Sequence, residues 1–175
     1  MSVLSHATIV RSVIWHSEEE TRACATRLAA ALLTLPHAGN ALIALGGDLG
    51  AGKTTLVRHL LRALGVQGRI KSPTYGLVET YEVATERGLL PIWHMDFYRV
   101  NDPSEWEHAG LRDVFATPGL KLVEWPERAG SRLPQADLTL HIRSQAGTDD
   151  PTAALREVQI QTPSPTGRAL AEALR

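Results

Sequence analysis

One cysteine, Cys24, stands among 175 residues. A lone thiol excludes an internal disulfide framework and any zinc site built from several cysteines. An excess of charge of either sign is also lacking, with 18 Lys+Arg against 19 Asp+Glu and a formal net charge of -1. A domain that grips nucleic acid by itself shows a basic surplus, so any RNA or DNA contact is expected to be local or carried by a partner. No apolar run reaches the ~20 residues that a membrane span needs. The stretch from Met1 to Trp15 is interrupted by His6 and Arg11 and has no continuous signal-peptide core. These absences point to a cytoplasmic protein with no membrane partner. Hydrophobic residues nevertheless make up 43% and charged residues 21%, which excludes a wholly disordered chain. The length suits one domain spanning residues 1–175.

Local patterns give the elements. Ser17 is a good helix cap, and Glu18, Glu19 and Glu20 place negative charge where the helix dipole favours it. Ala25, Leu28, Ala29, Leu32 and Leu33 then recur at helical spacing, predicting a helix over residues 17–35. Residues 41–45 form a short continuous apolar run, the pattern of a strand buried on both faces. Residues 53–64 read as a second helix, with Leu56, Leu60 and Leu64 on one face and Gly65 past its end. Residues 75–83 alternate, residues 89–95 look like a second strand, and the polar turn between them predicts an antiparallel hairpin. Asp102 or Ser104 is placed to cap a short helix through Glu105, Trp106 and His108. Further strands are expected at 120–125, 138–142 and 156–160, a loop at 144–152, and an amphipathic helix from Ser164 onward. The sum is an α/β fold with a mixed parallel and antiparallel sheet flanked by helices.

The strongest chemical signal is Gly47-Asp48-Leu49-Gly50-Ala51-Gly52-Lys53-Thr54, which fits the phosphate-loop pattern G-x-x-x-x-G-K-[ST]. Its glycines let the backbone wrap so that successive N–H groups point at phosphate oxygens. Lys53, expected at an exposed loop–helix junction, reaches the β- and γ-phosphates. The Thr54 hydroxyl coordinates Mg2+, and the following helix aims its positive end at the same anion. An apolar strand before the loop and a helix after it supply the required context. The guanine-reading string N-K-x-D and the switch string D-x-x-G are both missing, which favours ATP.

A phosphate-loop protein also needs a carboxylate on a neighbouring strand to hold Mg2+. Asp96, in His94-Met95-Asp96-Phe97-Tyr98-Arg99, and Glu124, in Leu122-Val123-Glu124-Trp125, are the two candidates. The segment Lys71-Ser72-Pro73-Thr74-Tyr75 reads as a turn from its composition alone, or as a switch loop whose Thr74 hydroxyl faces the γ-phosphate. His16, His37, His59, His108 and His141 are scattered and form no site. The four tryptophans, Trp15, Trp93, Trp106 and Trp125, read as core or interface residues, and Cys24 as a small core residue.

Taken in order, the phosphate loop through Thr55, the 71–75 segment, the 94–99 segment, Gly110-Leu111-Arg112-Asp113 and Glu124-Trp125-Pro126 resemble the TsaE (YjeE) family. That family comprises the phosphate-loop ATPases of bacterial tRNA threonylcarbamoyladenosine biosynthesis. The resemblance implies a P-loop NTPase fold, with ATP and Mg2+ as ligands and a TsaB–TsaD complex as partner. That complex transfers the threonylcarbamoyl group to adenosine 37 of tRNAs reading ANN codons. The implied role of this chain is to support the cycle by binding and hydrolysing ATP, slowly when alone. The resemblance also assigns roles. Lys53 and Thr54 take the phosphate and Mg2+, Glu124 becomes a metal-associated carboxylate, and Asp96 a catalytic or water-positioning carboxylate near the metal. Thr74 becomes a γ-phosphate sensor, and Glu20 and Arg156 match positions near the nucleotide.

Two other readings use the same loop. A small-molecule kinase would close an arginine-bearing lid on the phosphates, with Arg112, Arg128 and Arg132 as candidates. A nucleotide-gated binding module would bind ATP without turnover.

Overall fold

Among the described residues, seven strands form one sheet, which runs from edge to edge through Ile9–Trp15, Arg156–Thr162, Leu138–Ser144, Ala41–Gly46, Leu120–Glu124, Gly88–Asp96 and Val78–Thr85. The computed structural model describes residues 9–37, 39–102, 105–106, 110–145 and 155–175. The strands are β1 (Ile9–Trp15), β2 (Ala41–Gly46), β3 (Val78–Thr85), β4 (Gly88–Asp96), β5 (Leu120–Glu124), β6 (Leu138–Ser144) and β7 (Arg156–Thr162). The helices are α1 (Glu18–Thr34), α2 (Lys53–Ala63), α3 (Leu111–Ala116) and α4 (Pro165–Glu172). Strand β2 runs parallel to both β5 and β6, and β4 runs parallel to β5. The pairs β1–β7, β6–β7 and β3–β4 are antiparallel, so the sheet is mixed, as the hairpin pattern predicts.

Every residue of β2 is buried. The strand lies between two neighbours with packed layers on both faces, which is why an unbroken apolar run suits it. One layer joins Cys24, Leu28 and Leu32 of α1 and Leu56, Leu60 and Leu61 of α2 to Ile43, Ile92, Leu122 and Leu140. The other gathers Leu42, Met95, Phe97, Trp106, Leu111 and Val123. The side-chain period of two puts His94 and Asp96 of β4 on the same face as Ile92. Glu124 of β5 shares a face with Leu122 for the same reason. The carboxylates thus project toward α2 from the C-terminal ends of adjacent parallel strands, and Asp96 is the register partner of Glu124.

Several boundaries differ from the expectation. Strand β3 begins at Val78, because the Leu77 N–H bonds the Pro73 carbonyl at 2.8 Å in a turn and Leu77 itself has φ 63°. Strand β7 runs on to Thr162 and β6 to Ser144. Strand β1 carries no clear alternation and was not expected. It gains its ladder only from β7, about 150 residues away in sequence, Trp15 pairing with Arg156 and Val10 with Gln161. Helix α3 was likewise not read from local pattern. Near the expected helix at 102–108, Glu105 and Trp106 are helical, and the Glu105 N–H bonds the Asp102 carbonyl at 3.1 Å. Ser104, His108 and most of the expected loop at 144–152 lie outside the described residues.

Candidate functional site

The loop after β2 reverses the chain through three glycines with positive φ: Gly47 at 129°, Gly50 at 79° and Gly52 at 106°. At Gly47 a side chain has no room, since a Cβ would sit 2.1 Å from the carbonyl oxygen of Ile142 in β6. Gly52 caps α2 in the left-handed region without any side-chain bond. The first turn of α2 therefore keeps its N–H groups directed out of the loop.

Lys53, expected to be exposed, is only 4% exposed. Its Nζ donates to the Gly47 carbonyl at 2.6 Å and the Asp48 carbonyl at 2.8 Å. It also lies 3.9 Å from the centroid of the Trp125 ring. The loop wraps over the side chain, and the aromatic ring covers it from β5. Burial pushes this ammonium below the usual lysine value, while Glu124, Glu127, Asp96 and Asp48 favour the charged form. Trp125 is half-buried, packed against the layer of Met95, Phe97 and Val123 on one side and beside the phosphate loop on the other. Its φ of 58° is rare for a bulky residue. Its N–H is held on the Leu45 carbonyl at 3.1 Å.

Glu124 is 2% exposed. The Thr54 hydroxyl donates to it, with oxygen–oxygen distances of 2.8 and 3.0 Å to the two carboxylate oxygens. His94 Nε2 lies 2.8 Å from the same carboxylate. An ionised carboxylate only accepts hydrogen bonds, so Nε2 carries the proton. His94 is fully buried, and its Nδ1 has no partner among the described residues. Reading by residue type missed His94. The signal available was its position two residues before Asp96 on one strand, which places both on one face.

Asp96 is 3% exposed and tied to the 71–75 segment. Ser72 and Thr74 hydroxyls donate to its Oδ2, Thr74 at 3.1 Å. The Tyr98 N–H donates to Oδ1 at 2.9 Å. The turn reading of residues 71–75 is correct as far as it goes, but both hydroxyls are fastened to the strand-end carboxylate. The Ser72-Pro73 pair signalled the turn, but not the bond from Ser72 to Asp96.

Lys53, Thr54, Thr55, Thr74, Asp96, Glu124 and Arg156 line one cleft of about 420 Å3 together with Leu49, Gly50 and Gly52. Gly47, Asp48 and Ala51 complete the loop behind them. Arg156 reaches the site from the start of β7, with its Nε 3.0 Å from the Ala51 carbonyl. Glu20 does not line the cleft. Its carboxylate accepts the His16 N–H at 2.7 Å and its own N–H bonds the Ser17 hydroxyl, which together close the cap of α1. Arg112, Arg128 and Arg132 do not line it either. They border hollows around Trp106 that share no residue with the cleft.

Residues 15–152 match the family model described as threonylcarbamoyl adenosine biosynthesis protein TsaE. The chain belongs to the TsaE family. It is 46% identical over 116 residues to the tRNA threonylcarbamoyladenosine biosynthesis protein TsaE of Haemophilus influenzae, covering 66% of this chain and 71% of that protein. It is 39% identical over 132 residues to TsaE of Bacillus subtilis, covering 75% and 76% of the two chains. The crystal structure of Bacillus subtilis YdiB superposes with a TM-score of 0.69 at 30% identity, covering 97% of each chain. The fold is that of a P-loop NTPase. TsaE membership places this chain in tRNA threonylcarbamoyladenosine biosynthesis. No helix among the described residues is long and apolar enough to cross a membrane.

Proposed function

We propose that this TsaE-family chain is a Mg2+-dependent ATPase of the cytoplasm that acts on a TsaB–TsaD complex during threonylcarbamoylation of adenosine 37. The observation that carries the reading is the bond between the Thr54 hydroxyl and the Glu124 carboxylate. It joins the phosphate loop to a buried strand-end carboxylate, the pairing that positions a metal beside a triphosphate. Two buried carboxylates and a hydroxyl also make an all-oxygen donor set, which suits Mg2+. When bound, the metal would neutralise charge on the β- and γ-phosphates. Lys53 would turn from the loop carbonyls to the same oxygens. Thr54 would offer an oxygen to the metal while still donating to Glu124, which His94 holds in place. Asp96 would orient the attacking water.

Asp96 also supplies a gate. Thr74 cannot face the γ-phosphate while its hydroxyl serves the Asp96 Oδ2. ATP would therefore draw Thr74 away and reshape residues 72–75, presenting a different surface to the partner. Such a change needs ATP to favour one state of the loop over the other. The kinase reading loses its lid, since none of its three arginines lines the cleft.

The test measures affinity of the full chain for a purified TsaB–TsaD complex with a non-hydrolysable ATP analogue, with ADP and without nucleotide. Tightest binding is expected with the analogue, and Thr74→Ala flattens the difference. Three equal affinities would remove the gate, and no binding in any state would remove the partner. Calorimetry with ATP and GTP checks the base: ATP is expected to bind much more tightly.

A further inference from the structure

Three cations line the cleft, and two of them are held by the phosphate loop. Lys53 sits on two loop carbonyls, and Arg156 is bonded to a third while its side chain packs on Gly52. Arg99 is different. Its guanidinium carbon lies 4.3 Å from the centroid of the Tyr75 ring, and one of its nitrogens donates to the Tyr75 hydroxyl at 3.2 Å. Tyr75 is 84% exposed. Arg99 makes no ion pair among the described residues. A cation on an exposed aromatic face is weakly held, so Arg99 is parked and not anchored.

The charge of the site calls for such a group. In the ATPase reading two buried carboxylates, Asp96 and Glu124, would stand beside a triphosphate, with Mg2+ and Lys53 as the positive charges opposing them. As the γ-phosphoryl group leaves, negative charge spreads over its equatorial oxygens and onto the bridging oxygen. A planar guanidinium can bond two such oxygens at once.

We propose that Arg99 is a catalytic residue supplied in cis, which leaves Tyr75 to bind the γ-phosphoryl oxygens in the transition state. This deepens the ATPase reading above and rests on it. The parking site is also connected to the gate. Tyr75 directly follows Thr74, and Arg99 lies three residues beyond Asp96. Movement of Thr74 from Asp96 to the γ-phosphate carries Tyr75 with it and frees Arg99 at the moment that ATP is engaged. Water then attacks the γ-phosphorus, the bond from that phosphorus to the β–γ bridging oxygen breaks, and ADP leaves with that electron pair. The proton lost by the water passes to the departing phosphate. Arg99 gives no proton and only stabilises the charge.

The experiment compares binding of ADP·Mg2+ with binding of ADP·Mg2+ plus aluminium fluoride, a mimic of the transferring phosphoryl group, by calorimetry on the full chain. Wild type is expected to bind the fluoride complex more tightly than ADP. Arg99→Ala keeps ADP affinity within about threefold, because a group used only in the transition state adds little to ground-state binding. It loses about 100-fold or more for the fluoride complex. Arg99→Lys regains only part of the loss, since lysine lacks the planar fork. Tyr75→Phe keeps the ring, drops the hydroxyl bond and binds the fluoride complex at least as tightly as wild type. Equal fluoride-complex affinity in wild type and Arg99→Ala overturns the proposal, as does an equal loss in Tyr75→Phe, which would make Arg99 a brace for the loop. A wild type that binds ADP but shows no preference for the fluoride complex also overturns it. A wild type that binds neither ATP nor ADP overturns the underlying ATPase reading as well.

Discussion

Two buried side chains, Lys53 and Glu124, flank the cleft with opposite charge, and the proposed function gives them different tasks. The Lys53 ammonium is desolvated and bonded to backbone carbonyls, so the fold gains little from its charge. Replacing it with methionine keeps the stem and removes only the ammonium. Lys53→Met is therefore expected to change the stability of the free protein by less than about 1 kcal/mol, since a disfavoured buried charge is lost along with its bonds. In the proposed reading the same change removes the cation that would face the phosphates, so ATP affinity is expected to fall at least ~100-fold. Glu124→Gln separates the other way. It keeps the shape and still accepts from Thr54 through its amide oxygen. Nucleotide binding is expected to persist while Mg2+-dependent turnover falls by ~100-fold or more, because the charge proposed to place the metal is gone. Titration calorimetry and phosphate release read the two variants side by side. Equal effects of both on binding would mean that the two residues do not divide the work in this way.

At the scale of elements, the strand–loop–helix unit is the most exacting part of the chain. Gly47 combines φ 129° with contact against the backbone of β6, so neither its conformation nor its surroundings tolerate a methyl. Gly47→Ala is expected to cost at least about 2 kcal/mol, the combined effect of a strained dihedral and overpacking against an immobile carbonyl. Gly50→Ala meets nothing within 4 Å and bears only the positive φ of 79°, so its cost is about 1 kcal/mol. Denaturant midpoints of the two variants give the comparison, and similar losses at both positions would contradict the close approach to Ile142. This unit was legible in the sequence because its signals are local: an apolar run, spaced glycines and a periodic helix. The β3–β4 hairpin was legible for the same reason, its strands separated only by Glu86 and Arg87. Strand β1 was not, because its hydrophobic residues fall on both faces and its partner β7 is distant. The site divides along the same line. Lys53 and Thr54 follow from spacing alone. The contact of Lys53 with the Trp125 ring and the bonds of His94 to Glu124 and of Ser72 to Asp96 depend on strand order and on a turn, neither of which a motif contains. Arg156 came only through family resemblance, since nothing near it in sequence announces that β7 starts beside the loop.

Across the whole molecule, α1 closes one face of the sheet through a stripe that includes Cys24, which is fully buried. Burial pushes its thiol up to about 11 from an ordinary 9.0. The unfolded chain ionises the thiol first, so the folded state is favoured by an amount that is intact below pH 9 and is lost as pH rises toward 11. Two units correspond to about 2–3 kcal/mol. Lys53 and Lys121 act in the opposite sense. Burial lowers both, and the folded state sheds their protons more readily, so their contribution improves as pH rises past their folded values. The alkaline limb of the stability curve therefore mixes terms of opposite sign, and comparison with Cys24→Ala isolates one of them. At pH 7 the variant is expected to be about 1 kcal/mol less stable, the cost of removing one buried sulfur from a packed stripe. Between pH 9 and 11 wild type declines more steeply, by up to the same 2–3 kcal/mol, so the two curves cross. Urea unfolding at half-unit pH steps measures this directly. Parallel curves from pH 7 to 11 would show that the thiol titrates alike in the folded and unfolded chains and that burial beneath α1 does not raise it.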